Sequence, residues 1–321
     1  MSKKAGRKGR VMWGLIYTGA FIFTFVASAI FKMTYDPNAK ALAYRWDDTV
    51  GKVYTDLRYG EAPANQFDLY VPTDGSKESY GLVVYLHAGG FTSGDKAEDA
   101  DILKRLCSMG YVAAGVNYTL FGEENPEASV YSQSMEVKQS IHAIKEAAER
   151  LGYRLDRMAM SGGSAGGCLA LLYAYRDADT SPIPVKTVFE AVGPASFYHE
   201  DWKPYGLDKS PDAAAELFST MAGKKITPEM IAANDYEDEV RDISACLWVN
   251  ENSVPTLCSY GKYDKICPFD SAKHLIRALE EHGVPHDYIE FPHSGHGLQN
   301  DNAQSLEYAE KMKEYLRTYL G

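Results

Sequence analysis

The feature of this chain that most restricts its fold is an alternation of short apolar runs with helical patterns. Six runs are typical of buried strands: residues 82–87, 111–116, 157–160, 185–192, 255–260 and 287–291. Apolar residues at helical spacing lie between two of these runs, at Val137, Ile141, Ile144, Ala148 and Leu151, and again over residues 306–319. Strand–helix alternation predicts an α/β fold, a mostly parallel sheet with helices on both faces.

One segment breaks this alternation. Residues 197–252 contain no convincing strand but many acids and aromatics, including Trp202, Tyr205 and Trp248. In an open α/β sheet, a segment inserted after a strand is expected to lie over the carboxyl ends of the strands, where ligands bind. The segment therefore predicts a helical cap insertion, and a surface insertion without a role in recognition is the alternative.

Composition and charge exclude several classes of protein. The 321 residues are 45% hydrophobic and 24% charged, which argues against disorder. The net charge is −11, and the first ten residues carry five Lys and Arg and no acid, leaving −16 on residues 11–321. A segment with so large a negative charge is a poor partner for nucleic acid phosphates. Five scattered cysteines without a CxxC pair argue against a disulfide scaffold or a zinc module.

The N-terminal end predicts a membrane anchor. Residues 11–31 hold no charge over 21 positions, enough for a helix of about 31 Å across a bilayer core of about 30 Å. Five basic residues precede this span, so residues 1–10 are expected in the cytoplasm and the rest on the extracytoplasmic side. The alternative is secretion after cleavage near Ala29, where Ala27-Ser28-Ala29 forms an A-x-A-like site. Residues 32–50 would form a stalk.

The most informative motif is Gly162-Gly163-Ser164-Ala165-Gly166, which fits G-x-S-x-G. An apolar strand precedes it and an apolar helix follows it, as a sharp strand-to-helix turn requires. Such a turn lifts a serine hydroxyl clear of the sheet, and glycine tolerates the strained backbone. We therefore expect Ser164 to be a nucleophile.

A serine nucleophile needs a base, and the base needs an orienting carboxylate. Asp264 follows the strand predicted at 255–260, and His296 follows the one at 287–291. The order Ser, Asp, His along the chain, each after a strand, favours these three as a triad. Taken singly, Asp264 or Asp270 could cap a helix near 271–281, and His296 could be an ordinary solvated loop histidine.

His293 is the rival base, three residues before His296. Two histidines also raise the question of zinc. Pro292 and the nearby glycines argue against a helix that would place both histidines on one face. No cluster of Cys, His or carboxylate residues in the sequence would complete a tetrahedral site. We therefore expect no metal.

The run His87-Ala88-Gly89-Gly90-Phe91 follows the strand predicted at 82–87. Backbone N–H groups in such a glycine-rich turn can point at an oxygen that becomes negative during acyl transfer. This interpretation predicts an oxyanion hole, and a simple glycine turn is the alternative.

Together, these motifs resemble the α/β-hydrolase superfamily, near the bacterial hormone-sensitive-lipase-like carboxylesterases. HAGGFTSGDK (87–96) looks like that group's H-G-G-G motif, and VNYTL (116–120) resembles a segment after its fourth strand. GGSAGG (162–167), GKYDKICP (261–268) and SGHG (294–297) are similar to its nucleophile, acid and base loops. The resemblance runs from about residue 60 to the end. It implies a hydrolase domain, which we place at residues 51–321, with an eight-stranded sheet and no cofactor.

Carried over residue by residue, the resemblance implies that Ser164 is the nucleophile, Asp264 the acid and His296 the base. It also implies that Gly89, Gly90 and Ala165 donate the N–H groups of the oxyanion hole. Gly163 departs from the lipase-like branch, which has Asp there, and so moves the likeness toward acetyl- and feruloyl-type carbohydrate esterases.

The function predicted from the sequence is a serine carboxylesterase that acts on short-chain acyl esters of small molecules. A serine peptidase of the prolyl-oligopeptidase type is a second hypothesis, although only 50 residues precede the predicted hydrolase domain, too few for a propeller. A non-catalytic α/β-hydrolase-fold binding module is a third. The sequence leaves the natural ester and the oligomeric state open.

Overall fold

Residue 24 and residues 38–321 are described by the structure, a computed structural model. The chain divides into two units, residues 1–43 and 44–321. The predicted basic segment 1–10, residues 32–37 of the stalk, the cleavage site near Ala29 and, apart from Thr24, the predicted anchor 11–31 lie outside the described residues. The first unit contains helix α1, Ala39–Leu42. Within the described part of the chain, no helix is long and apolar enough to cross a membrane.

The second unit is built on one eight-stranded sheet. Its strands are β1 (Gly51–Arg58), β2 (Gln66–Pro72), β3 (Tyr80–Leu86), β4 (Val112–Val116), β5 (Leu155–Gly163), β6 (Val185–Ala191), β7 (Thr256–Gly261) and β8 (His286–Phe291). The strand order is β1-β2-β4-β3-β5-β6-β7-β8. The β1–β2 and β2–β4 pairs are antiparallel and all other pairs are parallel. The mostly parallel sheet is as predicted.

Strands β3 to β8 correspond to the six apolar runs, whereas β1 and β2 were missed. A parallel strand buried on both faces is apolar at consecutive positions, as β4 is throughout. Strand β1 lies at the sheet edge, is exposed at four of its eight positions and carries Lys52, Asp56 and Arg58. Strand β2 contains the buried Asp68, whose Oδ1 atom forms an ion pair with Lys96 Nζ at 3.1 Å. The apolar run of β2 is short, because it begins only after Asp68, and β1 has none.

Helices cover both faces of the sheet, as the alternation predicted. They are α2 (Ala100–Ser108), α3 (Val130–Arg150), α4 (Ala165–Leu172), α5 (Pro211–Ala222), α6 (Pro228–Ala233), α7 (Glu237–Val240), α8 (Phe269–Glu281) and α9 (Asn302–Tyr319). Alternate residues of β3 divide between two cores: Leu82 and Val84 pack with α3, α4 and α8, and Val83 packs with α2 and α9. This period of two is the geometry of an extended strand between two layers.

The segment 197–252 is helical and contains no strand, as predicted. It holds α5, α6, α7 and several short 3-10 turns. Its aromatic rings pack against one another as part of the main core: Trp202 lies 5.4 Å from Phe197 and 5.9 Å from Phe218, and Phe218 lies 6.0 Å from Tyr236. The segment is therefore a packed insertion rather than a loose loop.

The turn between β5 and α4 depends on close backbone contact. Ser164 has φ 53° and ψ −121°, a left-handed backbone that side-chain-bearing residues rarely adopt. A Cβ on Gly166 would lie 1.9 Å from the carbonyl oxygen of Leu86, and one on Gly162 would lie 2.4 Å from the carbonyl carbon of Gly166. The helix therefore begins directly against β3, in a space with no room for a side chain.

This contact predicts that Gly166→Ala destabilises the fold strongly, by about 3 kcal/mol or more, because the new methyl group meets backbone that cannot move aside. Gly163→Ala is the matched control, since its Cβ would meet nothing nearer than the Tyr85 hydroxyl at 3.8 Å. We expect the control to change stability by less than about 1 kcal/mol. Urea unfolding of both variants measures the difference. Equal stability of the two variants would contradict the close contact.

Candidate active site

Ser164 stands where the end of β5 meets the start of α4. Its backbone N–H donates to the carbonyl of Ala191 on β6 at 2.8 Å, and its own carbonyl accepts from the N–H of Cys168 at 3.0 Å. The residue thus makes the last backbone hydrogen bond to β6 with its N–H and accepts the first hydrogen bond of α4 with its carbonyl. Its hydroxyl lies at the N-terminal end of α4, where the helix dipole favours negative charge.

His296 and Asp264 complete a hydrogen-bonded chain with Ser164. The Nε2 atom of His296 lies 2.9 Å from Ser164 Oγ, and its Nδ1 atom lies 2.7 Å from Asp264 Oδ2. The other carboxylate oxygen of Asp264 accepts the backbone N–H groups of Ile266 at 2.8 Å and Cys267 at 3.0 Å. Because an ionised carboxylate only accepts, Nδ1 donates to it, which leaves Nε2 as the acceptor for the serine hydroxyl.

The alternative role of Asp264 as a helix cap is wrong. Helix α8 has Pro268 at its N-cap position, with no side-chain cap. Asp270 lies inside the first turn of α8 and pairs with Lys273, so it does not cap the helix either. The buried carboxylate of Asp264 instead points toward His296.

His293 points away from Ser164. Its side chain is 76% exposed, and its Nδ1 atom lies 2.7 Å from Asp301 Oδ1. Of the two histidines, only His296 is within hydrogen-bond distance of the serine. In the described residues, no group of three or more His, Cys, Asp or Glu side chains is arranged to hold a metal ion.

Asp301 holds the loop that carries His296, and the sequence analysis missed it. Its carboxylate accepts from the N–H of His293 at 3.0 Å, from His293 Nδ1 and from the hydroxyl of Ser294 at 2.5 Å. Burial alone would raise the pKa of Asp301, but these hydrogen bonds outweigh it and keep the pKa below its usual value. An aspartate directly before a C-terminal helix was the available signal, and a helix start was the obvious explanation for it.

The glycine-rich turn after β3 lies beside the serine. Gly89 and Gly90 have φ angles of +129° and +61°, in the region that glycine tolerates best, and a Cβ on Gly89 would lie 1.9 Å from the carbonyl of Ser93. The buried His87 supports the turn: its ring stacks on Tyr118 at 4.2 Å, and the Tyr118 hydroxyl donates to the His87 carbonyl at 2.8 Å. Burial lowers the pKa of His87.

A cavity of about 200 Å³ opens at the serine, and we call it the serine cavity. Of the predicted oxyanion-hole residues, Gly90 and Ala165 line it and Gly89 is not among the lining residues. The full lining is Gly90, Phe91, Ser164, Ala165, Pro194, Trp202, Tyr205, Leu217, Met221, Ile266 and Cys267. The wall is predominantly apolar, as in many small-molecule sites.

The insertion contributes to this cavity, but only in part as predicted. Trp202 and Tyr205 line the serine cavity, and the Tyr205 hydroxyl donates to the Ile266 carbonyl at 2.9 Å. Trp248, the third aromatic named in the predicted cap, does not line the serine cavity. Its indole N–H donates to the Arg241 carbonyl at 2.8 Å, and the Arg241 guanidinium lies 5.1 Å from the ring centroid. These local contacts hold Trp248 within the insertion rather than over the site.

A second buried carboxyl, Glu190, lies beneath the turn that carries Ser164. One oxygen accepts the N–H of Gly193 at 2.7 Å, and a Cβ on Gly167 would lie 2.9 Å from the same oxygen. The other oxygen has no hydrogen-bond partner among the described residues. Burial raises the pKa of Glu190 to about 8, although the Gly193 N–H and the Tyr260 hydroxyl both act to lower it. The sequence analysis counted this residue within an apolar run.

Comparison with protein families gives two matches. A family model described as BD-FAE matches residues 67–279, about two thirds of the chain. The model of the dienelactone hydrolase family matches residues 240–319. Both matches include Asp264, and the first also includes Ser164.

Three curated relatives are similar to parts of this chain. The AB hydrolase superfamily protein YisY of Bacillus subtilis is 25% identical over 64% of this chain and 81% of its own length. The probable carboxylic ester hydrolase LipM of Mycobacterium tuberculosis is 24% identical over 76% of this chain and 56% of its own. The acylamino-acid-releasing enzyme of Rattus norvegicus is 26% identical over 67% of this chain. The chain spans about half the length of LipM and 28% of the rat enzyme.

Among solved structures, a truncated form of a carbohydrate esterase from gut microbiota superposes with a TM-score of 0.68. It is 17% identical and covers 86% of this chain and 99% of its own. At that identity the likeness establishes the fold. The α/β-hydrolase fold expected from the sequence motifs is confirmed.

The buried carboxyl of Glu190 predicts a pH-dependent stability. Between about pH 5 and pH 8 the folded chain holds a proton on Glu190 that the unfolded chain has lost, so the wild type loses stability as the pH rises. Glu190→Gln cannot ionise, and its advantage over the wild type should grow across that window by about 1.4 kcal/mol per pH unit at most. Urea unfolding at pH 5, 6.5 and 8 measures this.

The matched change at an exposed glutamate, Glu251→Gln, controls for the loss of a carboxylate in general. A Glu190→Gln advantage that stays constant from pH 5 to pH 8 would contradict the assignment of a protonated Glu190.

Proposed function

The chain belongs to the BD-FAE family of α/β-hydrolases and is a carboxylic ester hydrolase, and from that premise we propose that it is a serine esterase acting through Ser164, His296 and Asp264. The observation that carries this proposal is the continuous chain of contacts from Ser164 Oγ to His296 at 2.9 Å and from His296 to Asp264 at 2.7 Å. Nucleophile, base and orienting group lie within hydrogen-bond reach of one another.

The chemistry follows from these positions. Ser164 Oγ attacks the ester carbonyl while His296 Nε2 takes the hydroxyl proton. The imidazolium that forms is stabilised by Asp264, which stays ionised and keeps the ring oriented. His296 then returns the proton to the departing alcohol, leaving an acyl group on Ser164. A water molecule releases that acyl group by the same steps in reverse order, with His296 again as the base.

The negative oxygen of the tetrahedral intermediate needs fixed donors. We assign this role to the backbone N–H groups of Gly89, Gly90 and Ala165. The positions of Gly90 and Ala165 beside Ser164 in the serine cavity support the assignment, and Ala165 begins helix α4, whose dipole adds to the effect. Removing one donor of this kind costs about 2.7–4 kcal/mol in the transition state.

The size of the serine cavity favours a short acyl group. A cavity of about 200 Å³ must hold the ester carbonyl and the start of the alcohol as well as the acyl chain, so it leaves room for few further carbon atoms, and a longer chain clashes with its walls. We therefore propose acetyl to butyryl esters of a phenol or a sugar as substrates. The structural likeness to a carbohydrate esterase supports a sugar as the alcohol.

A second candidate activity comes from the relative in rat. The acylamino-acid-releasing enzyme shares 26% identity over 233 residues with this chain. This similarity favours an alternative in which the same three residues cleave an amide of an acylated amino acid. Parallel assays with p-nitrophenyl acetate and N-acetylalanine p-nitroanilide separate the two activities, and we expect the ester to be the faster substrate.

A non-catalytic binding module is the third possibility considered. Such a protein would not react with a fluorophosphonate, which labels an activated serine covalently. Labelling of the wild-type chain on a gel therefore decides between a working enzyme and a binding module.

The proposed triad predicts that Ser164→Ala folds normally but loses fluorophosphonate labelling and ester turnover, because the covalent route is gone. His296→Ala should lose nearly as much activity. His293→Ala is the matched control, because its side chain is exposed and does not contact Ser164, and it should keep most of the activity. Steady-state kcat/KM with p-nitrophenyl acetate measures all three. An inactive His293→Ala beside an active His296→Ala would overturn the choice of base.

The cellular location is also a proposal, and it rests on the sequence of residues 1–32 alone. We propose that residues 11–31 anchor the chain in the cell membrane with the hydrolase domain on the extracytoplasmic side. Protease added to intact cells that express the chain should then digest the domain beyond residue 32. Protection until the membrane is opened would reverse the orientation, and release of the domain into the medium would favour cleavage near Ala29.

A further inference from the structure

A second cavity lies beside the serine cavity, and none of the roles above uses it. This side cavity has a volume of about 160 Å³ and is bordered by Phe121, Ala128, Val130 and Thr220, among others. An apolar cavity of about 150 Å³ is large enough to hold a six-carbon ring such as benzene. The side cavity therefore has room for several methylene groups.

The two cavities share part of their lining. Gly90, Phe91, Leu217 and Met221 border both of them. Gly90 has no side chain, so the side chains between the cavities are those of Phe91, Leu217 and Met221, which we call the partition. Leu217 and Met221 are one helical turn apart on α5 and therefore lie on the same face of that helix.

The partition has a fixed part and an adaptable part. The carbonyl of Phe91 accepts hydrogen bonds from the N–H of Phe121 at 3.0 Å and from the amide of Gln133 at 2.9 Å, which fixes its backbone. Met221 is only partly buried, and a methionine side chain is unbranched and has three rotatable bonds. Met221 is thus the member whose removal opens the partition with least disturbance.

The position of the side cavity matches the acyl half of an ester. His296 must face the leaving oxygen to protonate it, so the alcohol extends toward the loops that carry His296 and Asp264. Ile266, in the loop of Asp264, and Tyr205 lie on that side of the serine cavity. The side cavity borders no residue of either loop and adjoins Gly90 instead. The acyl group, which points away from the leaving oxygen, is directed toward it.

We propose that Met221, together with Leu217, is a specificity-determining residue that limits the acyl chain by closing the side cavity off from Ser164. This inference rests on the proposed esterase function. In the wild type the acyl group ends at the partition. When the partition is opened, the two cavities join, and a chain of six to eight carbons extends from Ser164 into the side cavity.

The test is a series of p-nitrophenyl esters from acetyl to dodecanoyl, compared by kcat/KM for the wild type and Met221→Ala. We expect the wild type to prefer acetyl to butyryl esters. Each methylene buried in a cavity with room for it improves binding about fourfold. Met221→Ala should therefore raise the octanoyl-to-butyryl ratio of kcat/KM by at least about tenfold. Leu217→Ala opens the same partition from the next helical turn and should shift the ratio in the same direction.

Met230→Ala is the matched control. Met230 is a partly buried methionine of the same insertion that borders neither cavity, so its removal should leave the octanoyl-to-butyryl ratio at the wild-type value. Met221→Leu, which keeps the volume of the side chain, should also keep the wild-type ratio.

A parallel series of acetate esters of alcohols from ethanol to octanol tests the direction of the cavity. If Met221→Ala improves only the long alcohols, the side cavity takes the leaving group and the acyl assignment is wrong. An unchanged ratio in both series, or a wild type that already prefers octanoyl esters, also overturns the proposal. Failure of the esterase proposal itself is distinguishable, because the wild type would then neither hydrolyse any ester nor react with a fluorophosphonate.

Discussion

The position of the candidate nucleophile depends on a backbone contact that excludes side chains. Helix α4 begins so close to β3 that a Cβ on Gly166 would overlap the carbonyl oxygen of Leu86. All eight residues of α4 are buried, and this burial holds the helix against the sheet. The chain must therefore turn within one residue, and Ser164 accepts a left-handed backbone to make that turn. As a consequence, Ser164 stands at the carboxyl end of β5 and lines the serine cavity.

The partners of Ser164 are positioned by a second backbone contact, between the loops after β7 and β8. The N–H of Lys262 donates to the carbonyl of Phe291 at 3.1 Å, and the N–H of Tyr263 donates to that of Ser294 at 3.0 Å. A Cβ on Gly261 would lie 2.3 Å from the carbonyl of Gly295. These contacts join the two loops before any side chain is considered. The 2.7 Å contact between acid and base is set by this junction.

Two buried carboxyl groups near the site differ in the number of backbone N–H groups that donate to them. Asp264 accepts two backbone N–H groups on one oxygen and the imidazole of His296 on the other, so its charge is compensated. Glu190 receives one N–H, and burial dominates and raises its pKa to about 8. Both residues carry a carboxyl group. That of Asp264 supplies a negative charge beside the histidine, and that of Glu190 is a neutral acid beneath the serine.

The sequence by itself determined the six strands β3 to β8, the turn at Ser164 and the order of acid and base, because buried parallel strands contain short apolar runs and a tight turn demands small residues. It did not determine β1, which is exposed at half of its positions, or β2, whose short apolar run follows the ion-paired Asp68. Only the tertiary structure decided that His296 rather than His293 faces the serine, since Asp301 binds the latter. It also decided that Glu190 is buried with only one of its two carboxyl oxygens hydrogen-bonded among the described residues. Such choices depend on contacts between residues far apart in the chain, which local patterns do not encode.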